Sequence, residues 1–353
     1  MIIKKNISKK EHSIEFLNIR KVESYFENKI NDIDILIIDN NLIKYKFVKK
    51  IYQNYPNRCF FVKGNEKIKS LKNFSLLIEK ILKIGIQRKS KLFSIGGGTV
   101  GDLSGFIASS LLRGIDHIML PTSLLAMVDS SIGGKTGINS YYGKNLIGSF
   151  YLPKKVLICK DFLKSLPKRE LNCGFAEIIK YHIIRPGIFK NRLENFIDIN
   201  QSNIEEIIKI SVLTKLEYVN DFREESVLRK SRAILNFGHT IGHAIENTNS
   251  YKEDIKHGEA IALGMLIELK ISQLLNYYQG SIEDKLKLFK KFNLPCNYEN
   301  FLTIKNIDIL IKKMMFDKKI SGNYVNFIFI DKKGGFVKKI SFKKLKELLN
   351  KIK

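Results

Sequence analysis

Apolar runs and helical periodicity alternate along the first 120 residues. Asp34 to Asp39 (Asp-Ile-Leu-Ile-Ile-Asp) reads as a buried strand that ends in Asp-Asn-Asn, and Cys59 to Lys63 as a second, shorter one. From Ser70 to Lys83, Leu71, Phe74, Leu77, Ile78, Ile81 and Leu82 recur on one helical face. Lys91 to Ile95 reads as a strand, followed by the glycine-rich stretch Gly96 to Asp102, a helix over Leu103 to Leu112 and a strand over His117 to Leu120. Strands alternating with helices predict a parallel sheet covered by helices, an α/β fold. After Pro153 the pattern turns helical, over Ile204 to Val219, Ala233 to Glu246 and Gly258 to Leu275. One late strand, Tyr324 to Ile330, precedes a turn at Asp331 to Gly334. The expected organisation is an α/β domain over 1–155 and a mainly α-helical domain over 156–353.

A length of 353 residues suits two domains. The net charge of +26 raises nucleic acid as a partner, but the lysines run along the whole chain. A solvated lysine-rich surface is therefore the reading, with no nucleic-acid partner. Cys59, Cys159, Cys173 and Cys296 form no CxxC pair, so neither a disulfide framework nor a cysteine zinc site is indicated. The window Ser94 to Leu112 holds five glycines and Asp102, a poor membrane span, and Met1 to Lys5 opens no signal peptide. A soluble cytoplasmic protein with no membrane partner is expected.

Gly96-x-Gly98-x-x-Gly101 lies between a strand and a helix, where glycines let the backbone approach a pyrophosphate at the helix N-terminus. Asp39, at the end of an earlier strand, suits an adenosine ribose better than Asp116, which borders a strand start. Ser131 to Thr136 looks like a P-loop, but Asp129 stands where its first glycine is required, so an ATPase is excluded. A glycine- and lysine-rich loop from Asp129 to Gly148 remains, and its Lys135, Lys144 and Asn145 suit an anionic substrate.

His239 and His243 share one helical face, with Glu246 continuing it. Thr240 stands where a zinc protease has its glutamate, so that class is excluded. His257 opens the next helix, and Glu177 is an acid in an apolar helical stretch. Two histidines and one glutamate leave a zinc ion one open position for substrate oxygens. A lone histidine is as readily structural as ligating, and His12 and His182 are left structural. A nucleotide loop, a metal triad and an anion loop together point to oxidation of a polyol acid or phosphate with NAD and a divalent metal.

Gly96 to Arg113, Leu120 to Thr136, Gly143 to Gly148, the Glu177 segment, Asn236 to Glu246 and His257-Gly258-Glu259 together resemble the 3-dehydroquinate synthase family. The resemblance spans about residues 35 to 330. It implies a Rossmann-like NAD-binding domain, a helical metal- and substrate-binding domain and a homodimer. It also implies NAD with one divalent ion, zinc or cobalt. The substrate would be the sugar-acid phosphate 3-deoxy-D-arabino-heptulosonate 7-phosphate. Its conversion to 3-dehydroquinate and phosphate, in the shikimate pathway, would run through transient oxidation, elimination, reduction and aldol closure.

By the same resemblance Glu177, His239 and His257 are the metal ligands. Arg113, Lys135, Lys144, Asn145, Lys180, Lys215, Arg232, Asn236 and His243 hold and process the substrate. The NAD positions are Asp39, Asn41, Glu66, Lys69, Gly97, Gly98, Thr99, Val100, Asp102, Thr122, Ser123, Asp129, Ser130, Phe162, Ser165 and Leu166, with Lys135 and Lys144 shared. Counting forward from Lys215 puts the family's acid and arginine at Glu225 and Arg229. Counting back from Asn236 puts the arginine at Arg232, the preferred choice. A further family lysine falls on Lys318 or Lys319. The alternatives are a sister sugar-phosphate cyclase or a metal-dependent polyol dehydrogenase.

Overall fold

The computed structural model describes residues 1–8, 10–200, 203–219, 229, 231–248, 255–316 and 323–353. Two units divide the chain, Met1–Pro167 and Lys168–Lys353. Glu225, Lys318 and Lys319 lie outside the described residues.

The first unit contains, in order, β1 (Ile2–Ile7), β2 (Lys10–Phe16), α1 (Ile19–Lys29), β3 (Ile35–Asp39), α2 (Lys46–Asn54), β4 (Cys59–Val62), α3 (Leu71–Lys83), β5 (Lys91–Gly96), α4 (Gly98–Ser110), β6 (Asp116–Pro121), β7 (Lys135–Ser140), β8 (Gly143–Phe150) and β9 (Lys155–Ile158). Seven of these strands form one sheet in the order β1-β2-β9-β6-β5-β3-β4. Every pairing in it is parallel except β1 with β2. A parallel sheet covered on both faces needs strands apolar throughout, and β3 is buried at all its positions. Ile35 and Ile37 of β3 and Leu92 of β5 meet Leu77 and Ile81 of α3 and Val100, Leu103 and Ile107 of α4. Ser70 starts α3 by accepting the Asn73 N–H on its hydroxyl.

Three expectations change here. The helix expected at Leu103 begins at Gly98, because glycines are no bar to a first turn that packs against a sheet. The loop expected from Asp129 to Gly148 holds the antiparallel hairpin β7–β8, where Thr136 also bonds Ser149 across the strands. The division falls after Pro167 rather than near residue 155, because β9 pairs with both β2 and β6 and so completes the sheet.

The second unit contains α5 (Lys168–Ile184), α6 (Ile204–Tyr218), α7 (His239–Glu246), α8 (His257–Leu274), α9 (Ile282–Lys291), α10 (Ile304–Phe316), the antiparallel pair β10 (Tyr324–Asp331) and β11 (Gly334–Ser341), and α11 (Phe342–Lys351). Buried residues surround α8 on all sides, which marks it as the central helix of this unit. The continuous helix expected over Ala233 to Glu246 is broken. A 3₁₀ turn covers Arg232–Asn236, and α7 starts at His239 after Gly238, whose φ is +77°. A Cβ on Gly238 would lie 2.4 Å from the Met265 side chain, so only glycine fits that left-handed position against α8. No helix among the described residues is long and apolar enough to cross a membrane.

Candidate active site

In the first unit the strand order reverses between β3 and β5, since β4 lies on one side of β3 and β5 with β6 on the other. Ligands of such sheets bind at the carboxyl ends of strands at this switch point. Asp39 ends β3, Gly96 ends β5, and Thr122 and Ser123 follow β6, with the Thr122 N–H donating to the Gly96 carbonyl at 3.0 Å. Gly97 caps α4 without any side-chain bond, so the first N–H groups of the Gly98-Thr99-Val100 turn stay available to an anion. Asp39 is buried and accepts the Asn41 N–H at 3.0 Å, while Asn41 is exposed. Asp129 and Ser130 lie in a π-helical turn at Ala126–Ser130, both half-buried.

Glu66, Lys69, Asp102 and Asn145 come from distant segments and meet in one network. Lys69 is buried, and its ammonium donates to Asp102 Oδ2 at 2.7 Å and to Asn145 Oδ1 at 2.5 Å. Asn145 has φ +54°, and its N–H donates to Asn139 Oδ1 at 2.9 Å. Asn139 in turn donates to Glu66 Oε1 at 2.7 Å. Asn139, which sequence reasoning missed, thus ties the hairpin to the nucleotide-side residues. Its β-strand placement was hidden by the loop reading.

Lys135 is exposed at the start of β7, and Lys144 is half-buried on β8. Arg113 is exposed in a turn where Leu112, Arg113 and Gly114 all have positive φ. For the two non-glycine residues that is a strained backbone, of the kind held only where surroundings demand it. Phe162 is buried among Tyr45 and Phe47, with ring centroids 5.1 and 6.2 Å away. Ser165 Oγ lies 2.7 Å from the Tyr45 hydroxyl, and Leu166 is half-buried.

In the second unit, Glu177 from α5, His239 from the first turn of α7 and His257 from the first turn of α8 converge. Each offers a ligand atom, and these atoms lie within 4.8 Å of one another. His239 Nε2 and His257 Nε2 stand 3.5 and 3.7 Å from Glu177 Oε1. The other nitrogen of each ring is engaged. His239 Nδ1 is 3.0 Å from the Phe237 carbonyl, which sets the proton on Nδ1 and leaves Nε2 as a lone pair. His257 Nδ1 is 3.4 Å from Glu246 Oε2, a carboxylate behind a ligating imidazole. One acid and two oriented imidazoles suit zinc or cobalt. His243 completes the group, with its ring 5.2 Å from His239 and 5.8 Å from His257. His243, Glu246 and His257 form a second such trio, sharing His257.

Charge supports this assignment. Burial and the nearby Lys180 hold His239 well below its ordinary pKa, so it is neutral and ready to ligate. Burial alone would lower His257 too, but hydrogen bonds to Glu177 and Glu246 outweigh it and raise the ring to about 10. A metal must displace that proton. Addition of zinc to the metal-free protein near pH 8 should therefore release about one proton per ion from His257, and less as pH passes about 10. The same shift has a stability sign. Charged His257 stabilises the metal-free fold below its unfolded pKa, and that contribution fades as pH rises through about 10. Proton uptake or a pH-independent affinity from pH 7 to 9 would contradict the assignment.

Lys180, one turn after Glu177, forms a buried ion pair with it. Lys215 is buried on α6, Arg232 is buried at the start of the 3₁₀ turn, and Asn236 is half-buried at its end. Arg229 is committed elsewhere. It forms a two-pronged pair with Asp331 and lies 5.2 Å over the Phe336 ring. That favours Arg232 as the substrate arginine. His12 and His182 are both buried, and His12 Nδ1 meets the Pro153 carbonyl at 2.9 Å. Asp116, set aside for the ribose, pairs with Lys154 at 2.7 Å.

The family model described as 3-dehydroquinate synthase N-terminal matches residues 59–173, and the one described as 3-dehydroquinate synthase C-terminal matches residues 174–320. A 3-dehydroquinate synthase of Alkaliphilus metalliredigens is 42% identical over 308 residues, 85% of this chain and 84% of its own. That of Pelagibacter ubique is 38% identical over 354 residues, 96% of this chain and 95% of its own. A 2-deoxy-scyllo-inosose synthase solved with carbaglucose-6-phosphate, NAD+ and Co2+ has a TM-score of 0.80 at 22% identity, over 99% of this chain and 100% of that one. A 2-epi-5-epi-valiolone synthase from Streptomyces hygroscopicus, with NAD+ and Zn2+ bound, has a TM-score of 0.80 at 18% identity, over 97% and 96% of the two chains. At these identities the two structures share the fold.

Proposed function

Since the chain belongs to the 3-dehydroquinate synthase family, we propose that it is the phosphate-eliminating lyase converting 3-deoxy-D-arabino-heptulosonate 7-phosphate to 3-dehydroquinate, with NAD and a divalent metal. The observation that carries this reading is the convergence of Glu177, His239 and His257, with His243 beside them.

When bound, NAD supplies uptake and return of a hydride, and the divalent ion supplies polarisation of the substrate hydroxyl. In the first unit, the α4 N-terminus receives the pyrophosphate, and Asp39 and Asn41 meet the adenosine side. Glu66, Lys69 and Asp102 form the wall of that site through their shared network. In the second unit, Glu177, His239 and His257 hold the ion. Lys180, Lys215, Arg232 and Asn236 bind the substrate's charged and hydroxyl groups, and within the first unit Arg113, Lys135, Lys144 and Asn145 offer further donors to an anion. Ammonium and guanidinium donors suit a carboxylate and a phosphate, which explains why so many cations serve one small substrate. His243 stays off the ion and faces the phosphate that departs. The proton removed next to the new carbonyl goes to the substrate's own phosphate, which carries it away. The protein works as a homodimer in the cytoplasm, with zinc or cobalt as the ion.

The test is phosphate release from the heptulosonate phosphate with zinc or cobalt and NAD well below substrate concentration. Many turnovers per NAD are expected, because the hydride returns. A polyol dehydrogenase would accumulate NADH mole for mole with product, and that outcome would sink the lyase reading.

A further inference from the structure

Glu268 sits three turns along α8 from His257, in a helix otherwise lined there by Met265, Leu266, Ile267 and Leu269. It is fully buried. Its carboxyl crosses to the start of α7, where the Gly238 N–H donates to Oε2 at 2.8 Å and the Ile241 N–H bonds it as well. Those are the N-cap and N3 donors of α7, two of the groups that a helix cannot satisfy internally. Gly238 itself offers no side-chain cap. Glu268 therefore caps α7 from a neighbouring helix, in the manner of a capping box built from outside.

This cap has a specific consequence for His239, the first residue of α7. The His239 ring is aimed by its bond to the Phe237 carbonyl, and Phe237 directly precedes the glycine that Glu268 holds. The two helices also touch backbone to backbone. A Cβ on Gly264 would lie 2.0 Å from the Gly238 carbonyl oxygen. So α8 carries one histidine at its own start and fixes the turn that presents the other. Glu268 Oε1 has no hydrogen-bond partner among the described residues, so the buried carboxyl is only partly satisfied by the fold.

We infer that Glu268 is a positioning residue for the metal site, setting the distance and angle between His239 and His257 through the Gly238 and Ile241 N–H groups. The inference rests on the assignment of Glu177, His239 and His257 as the ligands. Burial pushes the Glu268 carboxyl well above the usual carboxylate range, and a glutamine keeps an acceptor oxygen of the same reach.

The experiment compares E268M and E268Q with the unmutated full-length protein. The readouts are cobalt affinity, by competition with a chelator, and the visible d–d spectrum of the cobalt form, which reports ligand geometry. Melting temperature of the metal-free protein is the control. E268M, which strands both N–H groups, should melt below the parent but still fold, and should bind cobalt on the order of 10-fold or more weakly, with an altered spectrum. E268Q, which keeps an acceptor oxygen, should match the parent within about twofold. Cobalt binding by E268M with parental affinity and spectrum overturns the inference. So does an E268Q protein that folds but loses the parental spectrum, which keeps the question decidable even if E268M fails to fold. If the parent itself takes up no cobalt, the ligand assignment fails and this inference falls with it. If the parent binds and E268M matches it, only the role of Glu268 is overturned.

Discussion

His239→Ala should lose the divalent ion, and with it essentially all activity, whereas His243→Ala should keep the ion and still turn over poorly. The distinction follows from geometry. His239 Nε2 lies 3.5 Å from Glu177 Oε1, and its Nδ1 is occupied by the Phe237 carbonyl, so it faces the ligand set with its free lone pair. Removal leaves two protein ligands, too few to hold zinc or cobalt firmly. His243 is one turn further along α7, with its ring beside both ligating rings. On the proposed assignment its loss removes a polar group beside the ion without emptying the ligand set. Loss of well-placed acid–base or hydrogen-bonding help costs on the order of 100-fold or more in turnover. Elemental analysis of both purified variants decides the matter. Metal retained by His239→Ala and lost by His243→Ala would move the site to the trio of His243, Glu246 and His257.

Lys180→Met should destabilise the metal-free protein strongly and the metal-loaded protein much less. Glu177 and Lys180 are an ion pair with side-chain exposures of 0% and 1%. Removing one partner of such a pair leaves a charge without its match, at a cost of about 3–5 kcal/mol. The lower end of that range, about 3 kcal/mol, applies because the charged His257 ring remains 3.7 Å from the carboxylate. A bound divalent ion replaces the missing cation, so most of the loss should vanish with zinc. Thermal denaturation with and without zinc measures both states. At about 2–4 °C per kcal/mol for chains of this order, the metal-free shift is easily read. An equal loss in the two states would mean that Lys180 supports the fold rather than the charge of Glu177.

Much of this was legible along the chain, for local reasons. A run of four apolar residues, Ile35 to Ile38, closed by Asp39, a strand-glycine-helix junction at Gly96 and a periodic helix after Ser70 each need only near neighbours to be recognised. The His239 and His243 spacing was legible in the same way, because one helical turn suffices to align them. The residues alone did not say which of the two ligates. The resemblance of the surrounding motif made that choice, and the engaged Nδ1 of His239 gives it a physical basis.

Other features were not legible because their causes lie far off in the chain. The 3₁₀ turn and the break at Gly238 exist because Met265 and Ile261 of α8 leave no room for a side chain there. The hairpin at Lys135 to Phe150 was hidden by its glycines and lysines, which read as loop until Ile138 and Ile147 pair across it. Glu246 had the right helical face, but its partner is His257, eleven positions further along the chain. Glu268 left one faint signal, a single acid in the apolar run Leu266-Ile267-Glu268-Leu269. Periodicity and motif thus determined the central strands β3 to β6, the strand β10, several helices and the chemical inventory, since these arise from neighbours within a few residues. Only the packing of α5, α7 and α8 decided which acid meets which imidazole, because a carboxylate's partner is chosen by distance in space and by burial, and neither is written in local sequence.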